Sequence, residues 1–484
     1  MRTPEEIWAG DLFGRRQEAE DLLSYLEVVT KRPSLREDNE GFVIAVDGNY
    51  GEGKTYFLKR FAENAHRSHP VAYIDAWHDD LSDDPLIALI STLERALEPY
   101  LDQTPQLKDR LAEFRRKAGA VVRLSSIGLL RKGAGLLLGA IAVDAIEEAV
   151  GETSKTAHEL GMESAKNLGD TIVADAERGI ADLSTGSLAQ RIQNFRESEA
   201  AIHGMKAGLR AIVDTLAESP LPPPIIIVVD ELDRCRPTYA IKFLEEVKHL
   251  FDVQGIVFVL GMNGDQLAHS VSATYGAGFA SKAYLQRFLN RRYTLDPAPI
   301  QALVRHLFDA LSLHRGRLHF PVSTSEESRG YGRADVRDML TRYLEAYEVT
   351  ARETFTIMET LETCFALTGT RRLYLGYLVP LIISHVRGHT GLLETSRKPN
   401  WHFRLHYSAG SDAVDRDIDG LAQDYENAVL MPRDQLIELM NNPSGNTYVH
   451  NEIGEDRFNY DAESLGNASM YKNLITKVSR FKSA

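Results

Sequence analysis

Short apolar runs alternate along the chain with segments of helical periodicity. The apolar runs are Phe42–Val46, Val71–Ile74, Ile225–Val229 and Ile256–Leu260. Helical patterns follow the first two runs, and a third lies between the last two. Continuous β-branched runs are typical of strands buried on both faces, and their alternation with helices favours a parallel sheet covered by helices. We therefore predict an α/β fold.

The segments outside these runs define the predicted domains. Residues 1–40 form an N-terminal helical segment, and residues 41–300 form the α/β core. Residues 100–215 are rich in Ala, Glu, Leu and Lys without a strand signal, which predicts a helical insertion. Residues 301–395 are again helical and are predicted to form a lid. Residues 396–484 are polar and rich in turn residues.

The first apolar run leads into the segment GNYGEGKT, which matches the phosphate-binding pattern G-x-x-x-x-G-K-[ST] between a strand and a helix. Glycines let backbone N–H groups approach phosphates closely, and the helix N-terminus adds partial positive charge. A lysine in the loop contacts the terminal phosphates, and the Thr hydroxyl ligates Mg²⁺. The predicted nucleotide-binding residues are Gly48, Asn49, Tyr50, Gly51, Glu52, Gly53, Lys54 and Thr55.

A second motif follows the aliphatic run Ile225–Val229, which delivers Asp230 and Glu231 to the carboxyl end of a buried strand. In open α/β sheets ligands bind at this edge. We expect Asp230 to hold Mg²⁺ through its water shell, and Glu231 to orient or deprotonate the attacking water. The sequence thus predicts a Mg²⁺-dependent nucleoside triphosphatase.

The sequence leaves two possible roles open for each of three residues near these motifs. Asp233 and Arg234 either form a local ion pair or sense nucleotide or a neighbouring subunit. Asn263, after the run Ile256–Leu260, either contacts the γ-phosphate or the water as a catalytic residue, or caps the turn. That run is expected to lie beside the magnesium-motif strand, and the magnesium-motif strand is expected to lie away from the phosphate-loop strand in the sheet.

The composition restricts the possible partners and location of the protein but does not indicate a particular chemistry. The 484 residues are 43% hydrophobic and 26% charged, with a net charge of −14 and two cysteines. This charge favours neither nucleic acid nor an anionic membrane. The acidic N-terminus lacks an apolar run of secretory length, so we expect a cytoplasmic protein. Residues 118–143 are apolar but interrupted by three cations, which favours a packed helical hairpin over attachment to a membrane.

The run VVDELDRCRP, followed by a helix and GIVFVLGMNGDQL, resembles the signature of the KAP family of P-loop NTPases. That family typically has D-D-L-D-R-C at this position. Three further segments agree with the resemblance, which covers roughly residues 8–390: Asp11–Arg15, Tyr73–Trp77, and Ala283–Arg287 before Tyr293–Leu295. The resemblance implies assembly into homo-oligomers or larger complexes with a protein partner and, in bacteria, exclusion of phage.

The chain departs from the family pattern at two positions and lacks one family feature. Glu231 replaces the second Asp of the magnesium motif, which favours hydrolysis, and Asp75 replaces the Asn of F-N-A-W. The family often carries transmembrane helices between the nucleotide motifs, where this chain has the interrupted segment 118–143. The resemblance also implies that Arg371, of the pair Arg371–Arg372, lies on the lid as a catalytic arginine; the alternative is a solvated helix start. Arg291–Arg292 either serves instead or pairs with the acidic loop Asp79–Asp84.

The resulting hypothesis is an ATPase that acts as a conformational switch. ATP is favoured over GTP because no N/T-K-x-D guanine signature follows a late strand. The alternatives are a non-hydrolysing nucleotide-binding scaffold and a translocase stimulated by nucleic acid. No zinc motif occurs in the sequence. The acidic cluster Asp412, Asp415, Asp417 and Asp419 is interpreted as a solvated loop rather than a nuclease metal site.

Overall fold

The computed structural model describes residues 2–31, 41–81, 84–126, 188–276, 278–311, 313–320, 335–369, 371–398, 403–405, 414–441, 449–450, 453, 468–478 and 480. Their contacts divide the chain into two compact units. The first comprises residues 1–50 and 54–295, and the second comprises residues 51–53 and 296–484.

Five parallel strands form the sheet of the first unit in the order β2-β3-β4-β1-β5. The strand β4 lies between β1 and β3, so the magnesium-motif strand is not adjacent to the phosphate-loop strand, as expected from the sequence. The edge strand β5 has the pattern RRYT and is largely exposed, so hydrophobic patterning alone does not reveal it. The strands are β1 (Phe42–Asp47), β2 (Val71–Asp75), β3 (Ile225–Asp230), β4 (Ile256–Met262) and β5 (Arg291–Thr294).

Helices cover both faces of this sheet, as the sequence predicts. Successive residues of a strand point to opposite faces, so Ile226 and Val228 pack on one side and Ile227 and Val229 on the other. The helices of the first unit are α1 (Pro4–Ile7), α2 (Arg15–Lys31), α3 (Lys54–Ala65), α4 (Ala76–Asp79), α5 (Pro85–Leu97), α6 (Pro105–Ser126), α7 (Leu188–Leu216), α8 (Pro237–Leu250), α9 (Gly264–Tyr275) and α10 (Ser281–Gln286).

The insertion between β2 and β3 is helical where it is described. Phe114 of α6 packs against Gly208 of α7, where a β carbon would lie 3.4 Å from the Phe114 Cα. The small residue therefore lets the two helices approach closely. Residues 127–187 lie outside the described residues, and with them most of the apolar segment 118–143. Among the helices that the structure describes, none has both the length and the apolar character needed to cross a membrane.

The second unit is mainly helical. Its α14 is apolar along almost its whole length and is buried against its neighbours, with Tyr377 and Tyr425 fully buried. Helices also occur in the polar region after residue 395, and one of them, Ile418–Leu430, buries apolar residues at helical spacing. The elements are α11 (Ile300–Ala310), β6 (Leu318–His319), α12 (Val336–Ala346), α13 (Ala351–Leu367), β7 (Leu373–Tyr374), α14 (Leu375–Val386), β8 (Phe403–Leu405), β9 (Val414–Arg416), α15 (Ile418–Leu430), α16 (Arg433–Asn441) and α17 (Ala468–Val478).

A buried carboxyl on α8 couples the stability of the first unit to pH. The Oε1 of Glu246 lies 3.6 Å from Lys242 Nζ, which also pairs with Asp84 at 3.1 Å. Glu246 Oε2 is buried without a hydrogen-bond partner among the described residues. Burial raises the pKa of Glu246 to about 8, although Lys242 opposes the shift. The folded protein therefore holds this proton above the pH at which an unfolded glutamate loses it, about 4.3.

We expect Glu246→Gln to stabilise the protein at pH 8 but not at pH 4. Because the folded form binds the proton more tightly, the wild-type free energy of unfolding falls as pH rises from about 4.3 to about 8. The neutral amide of Gln removes that pH dependence, so the free energy of unfolding at pH 8 should rise by about 1–3 kcal/mol. Thermal unfolding of both proteins across this pH range measures the difference. If wild type and Glu246→Gln differ in stability by the same amount at pH 4 and pH 8, Glu246 does not hold its proton in the folded protein.

Candidate functional site

The predicted phosphate loop lies between β1 and α3. Gly51 and Gly53 have positive φ angles of 87° and 88°, which residues with a β carbon adopt only with strain. A β carbon at Gly53 would meet no atom within 4 Å, so the loop is open on that side. Lys54 Nζ folds back and donates to the carbonyl oxygens of Gly48 at 2.6 Å and Asn49 at 3.0 Å. This geometry suits a cradle of backbone N–H groups around phosphates.

The end of β4 and the start of α9 hold this loop in place. The Gly48 N–H donates to the carbonyl of Met262 at 3.3 Å, and the Gly264 N–H donates to Asp47 Oδ1 at 2.8 Å. Asn263 accepts from two N–H groups as the N-cap of α9, and its amide lies 3.5 Å from Asn49 Oδ1. Asn263 therefore acts as a helix cap in this structure. Its catalytic role stays a prediction.

In the described part of the acidic loop after β2, Asp80 pairs with a different arginine from those proposed. Arg292 Nη1 lies 3.4 Å from Asp47 Oδ2, at the end of β1. Asp80 instead accepts from the Arg236 backbone N–H at 2.8 Å and from its Nε at 2.9 Å. Among the described residues Arg292 thus pairs with Asp47 on the neighbouring strand and not with the acidic loop, which was one of two interpretations of Arg291–Arg292; their catalytic alternative stays a prediction.

The carboxylate of Asp230 is fixed at the end of β3. It is 2% exposed, and its Oδ1 accepts the Glu231 N–H at 2.9 Å. Its Oδ2 accepts the Tyr73 hydroxyl, also at 2.9 Å. Gly261 of β4 leaves space for this carboxylate, because a β carbon at that position would lie 2.9 Å from Asp230 Oδ1 and would overlap Leu58. Sequence reasoning missed Tyr73 and Gly261 as parts of the site, although a Tyr in an apolar strand signals a polar partner.

Glu231 follows in a conformation that is rare for a residue with a side chain. Its φ and ψ are 60° and 27°, in the left-handed region. Such strain is concentrated at functional sites. Burial raises the pKa of the Glu231 carboxyl; Arg234 opposes the rise, and Asp230 adds to it. Arg234 Nη1 lies 3.0 Å from Glu231 Oε1. The local pair proposed between Asp233 and Arg234 is thus corrected to a pair between Glu231 and Arg234.

We expect Tyr73→Phe to weaken Mg²⁺ binding about 10-fold, because groups that orient a metal-binding carboxylate are often worth that much. Loss of the hydroxyl also leaves a buried carboxylate oxygen without its donor, which costs about 1–3 kcal/mol of stability. The measurements are the Mg²⁺ dependence of nucleotide binding and the melting temperature. Tyr25→Phe, on α2, is the control for loss of a half-buried tyrosine hydroxyl. Identical Mg²⁺ dependence in Tyr73→Phe and wild type would exclude this role.

The donor set fits a magnesium nucleotide. Thr55 in the first turn of α3 and Asp230 at the end of β3 carry oxygen atoms of the kind that Mg²⁺ prefers, and the loop carries backbone N–H groups of the kind that bind phosphates. A glycine-rich loop between a strand and a helix, with a carboxylate at the end of another strand of a parallel sheet, defines the class of P-loop nucleoside triphosphatases.

Within that class, the chain belongs to the KAP family, whose P-loop domain model matches residues 15–363. This confirms the resemblance seen in the sequence. No curated protein gave a significant match.

Among solved structures the chain is similar to the Aeropyrum pernix ORC2 protein in its ADP form. The identity is 12%, 99% of this chain and 89% of that chain are covered, and the TM-score is 0.30. It is also similar to C. elegans PCH-2, at 9% identity, 79% and 72% coverage and a TM-score of 0.29.

The remaining predicted residues lie in the second unit. Arg371 precedes β7, and its carbonyl oxygen accepts from Arg317 Nε at 3.0 Å. The same guanidinium donates to Thr368 Oγ1 at 2.8 Å and to the Phe365 carbonyl at 3.1 Å, so it fixes the backbone at the end of α13. The catalytic role of Arg371 stays a prediction.

The acidic cluster of the C-terminal region has structural partners where it is described. Asp417 caps α15 by accepting the Gly420 N–H at 2.7 Å, and Asp419 accepts the Thr395 hydroxyl at 2.8 Å. Asp412 lies outside the described residues. Within the described ranges, no group of three or more His, Cys, Asp or Glu side chains is arranged to hold a metal ion.

Proposed function

We propose that the chain binds Mg·ATP and hydrolyses it, and that it works as a conformational switch in an oligomeric assembly. The observation that carries the proposal is the pair Asp230–Glu231 at the end of β3, with the phosphate loop held at the end of β1, two strands away. One carboxylate suits the metal, and the next, in a strained backbone conformation, suits the attacking water.

Each residue has a role in this proposal. Lys54 neutralises the terminal phosphates, and Thr55 and Asp230 hold Mg²⁺, which offsets phosphate charge. Glu231 accepts a proton from the attacking water, for which its raised pKa is suited. Asn263 lies within hydrogen-bond reach of the loop residue Asn49 and orients the γ-phosphate or the water.

The wider role is proposed from family membership. KAP-family membership supports assembly into oligomers, a protein partner and, in a bacterial setting, a part in phage defence. The helical lid over residues 301–395, with Arg371 as its catalytic arginine, belongs to the same proposal. ATP is favoured over GTP because the sequence lacks a guanine signature.

Steady-state hydrolysis by the purified protein tests the proposal. Turnover of ATP is measured with and without Mg²⁺, across protein concentration, with GTP as competitor and with added DNA. We expect Mg²⁺-dependent turnover that rises per molecule with protein concentration, since shared sites form on assembly. Tight ATP binding without turnover under any of these conditions would identify a scaffold instead. Turnover that requires DNA would identify a translocase.

A further inference from the structure

Arg234 is held between two aromatic rings and a carboxylate. Its guanidinium carbon lies 5.7 Å from the ring centre of Tyr50 and 5.5 Å from that of Trp77. Its Nη1 is 3.0 Å from Glu231 Oε1. Tyr50 is 41% exposed and Trp77 is 54% exposed, which is high for such large apolar side chains. Arg234 thus contacts three elements: the phosphate loop, the helix after β2 and the end of β3. We call the rings of Tyr50 and Trp77 the clamp.

One of the two rings belongs to the phosphate loop, and the other is fixed at the end of β2. Tyr50 is a residue of the phosphate loop, and Lys54 Nζ also lies near its ring, 5.5 Å from the centre. Trp77 belongs to α4, which Asp75 caps at the end of β2 by accepting the His78 N–H. Because Tyr50 is part of the loop, any change in loop conformation that moves Tyr50 also moves one of the two rings beside Arg234.

The pair with Arg234 restricts what Glu231 does chemically. The Arg234 guanidinium engages Oε1 of Glu231, so a water molecule reaches this oxygen only by displacing the cation. Release of Arg234 therefore frees this oxygen to accept a proton from water.

We propose that Arg234 is a positioning residue that restrains Glu231, and that movement of Tyr50 with the phosphate loop releases the restraint. The inference rests on the hydrolysis proposed above. The Arg234 and Glu231 side chains are 29% and 16% exposed. Partly exposed ion pairs and cation–π contacts shift an equilibrium by about tenfold.

Steady-state kinetics of Arg234→Met test the inference, because methionine keeps much of the length without the charge. We expect kcat to rise about three- to tenfold while the Kd for ATP stays within about twofold. Arg234→Lys retains a cation, so its kcat should lie between those of the wild type and Arg234→Met. Tyr50→Leu removes one face of the clamp and should also raise kcat, but should add nothing to Arg234→Met in the double variant.

Trp77 provides a spectroscopic readout that a purely structural role of Arg234 does not predict. ATP should change the Trp77 emission of the wild type, defined by subtraction of the Trp77→Phe spectrum, and this change should be lost in Arg234→Met. A lower or unchanged kcat in Arg234→Met and Tyr50→Leu, at wild-type Kd and melting temperature, would overturn the restraint.

The proposed hydrolysis and the restraint fail in different ways. If the wild type binds ATP no better than Lys54→Ala does, the proposed function falls and the restraint falls with it. If the wild type binds and turns over ATP but neither Arg234→Met nor Tyr50→Leu is faster, the restraint alone is wrong.

Discussion

Replacing Glu231 by Gln should reduce ATP turnover about 1000-fold while ATP binding persists. The amide keeps the size of the side chain and an oxygen that accepts from Arg234, but it cannot take a proton from water. Loss of a general base typically costs 10²- to 10⁴-fold in rate, about 3–5 kcal/mol of transition-state stabilisation. The backbone conformation of Glu231 is set by its neighbours rather than by its charge, so the fold should persist.

Single-turnover hydrolysis and equilibrium binding, measured on the same protein, separate these two effects. Glu199→Gln on α7 is the matched control, because it makes the same chemical change at an exposed position in the same unit. Turnover of Glu231→Gln within about threefold of wild type would remove Glu231 from the proposed chemistry. A comparable loss of binding would mean that Glu231 holds the nucleotide rather than the water.

Replacing Lys54 by Ala should weaken ATP binding about 100-fold, which corresponds to about 2.7 kcal/mol. Lys54 Nζ is held against the carbonyl oxygens of Gly48 and Asn49, so its charge is fixed over the loop before any ligand arrives. Charge-assisted bonds to phosphate are roughly twice as strong as neutral ones, and truncation of one partner commonly costs 2–5 kcal/mol.

Lys59→Ala is the matched control, because Lys59 is exposed on the same helix α3. It removes the same charge from the protein and should leave the Kd for ATP unchanged. Calorimetric titration with Mg·ATP measures both variants. Equal affinities of Lys54→Ala and Lys59→Ala would show that the loop does not bind phosphates as proposed.

Most of the sheet could be predicted from residue patterns, because its strands are buried on both faces. The aliphatic runs of β3 and β4 leave no polar position before the strand ends, so the point where Asp230 appears was visible without a structure. The exposed edge strand β5 carries no such signal. The helices of the C-terminal region were missed because polar, turn-rich segments surround them, although α15 buries apolar residues at helical spacing, such as Ile418, Leu421 and Tyr425.

Partner choice within the site could not be predicted in the same way. Asp233 and Arg234 are adjacent in sequence, and sequence gives no reason to prefer Glu231 as the partner. The left-handed backbone at Glu231 turns its side chain toward Arg234, which lies three residues further on. In the same way, Arg292 pairs with Asp47 because β5 lies beside β1, across 245 residues of chain.

The sequence by itself determined the class of this protein, since a glycine-rich loop and a strand ending in Asp230–Glu231 need their residue types at set spacings. Only the tertiary structure decided how the groups at the strand ends meet. Tyr73 reaches Asp230 because β2 pairs with β3, and Gly261 leaves room for that carboxylate because β4 packs on its other side. Strand order, which local patterns do not encode, brings these residues together.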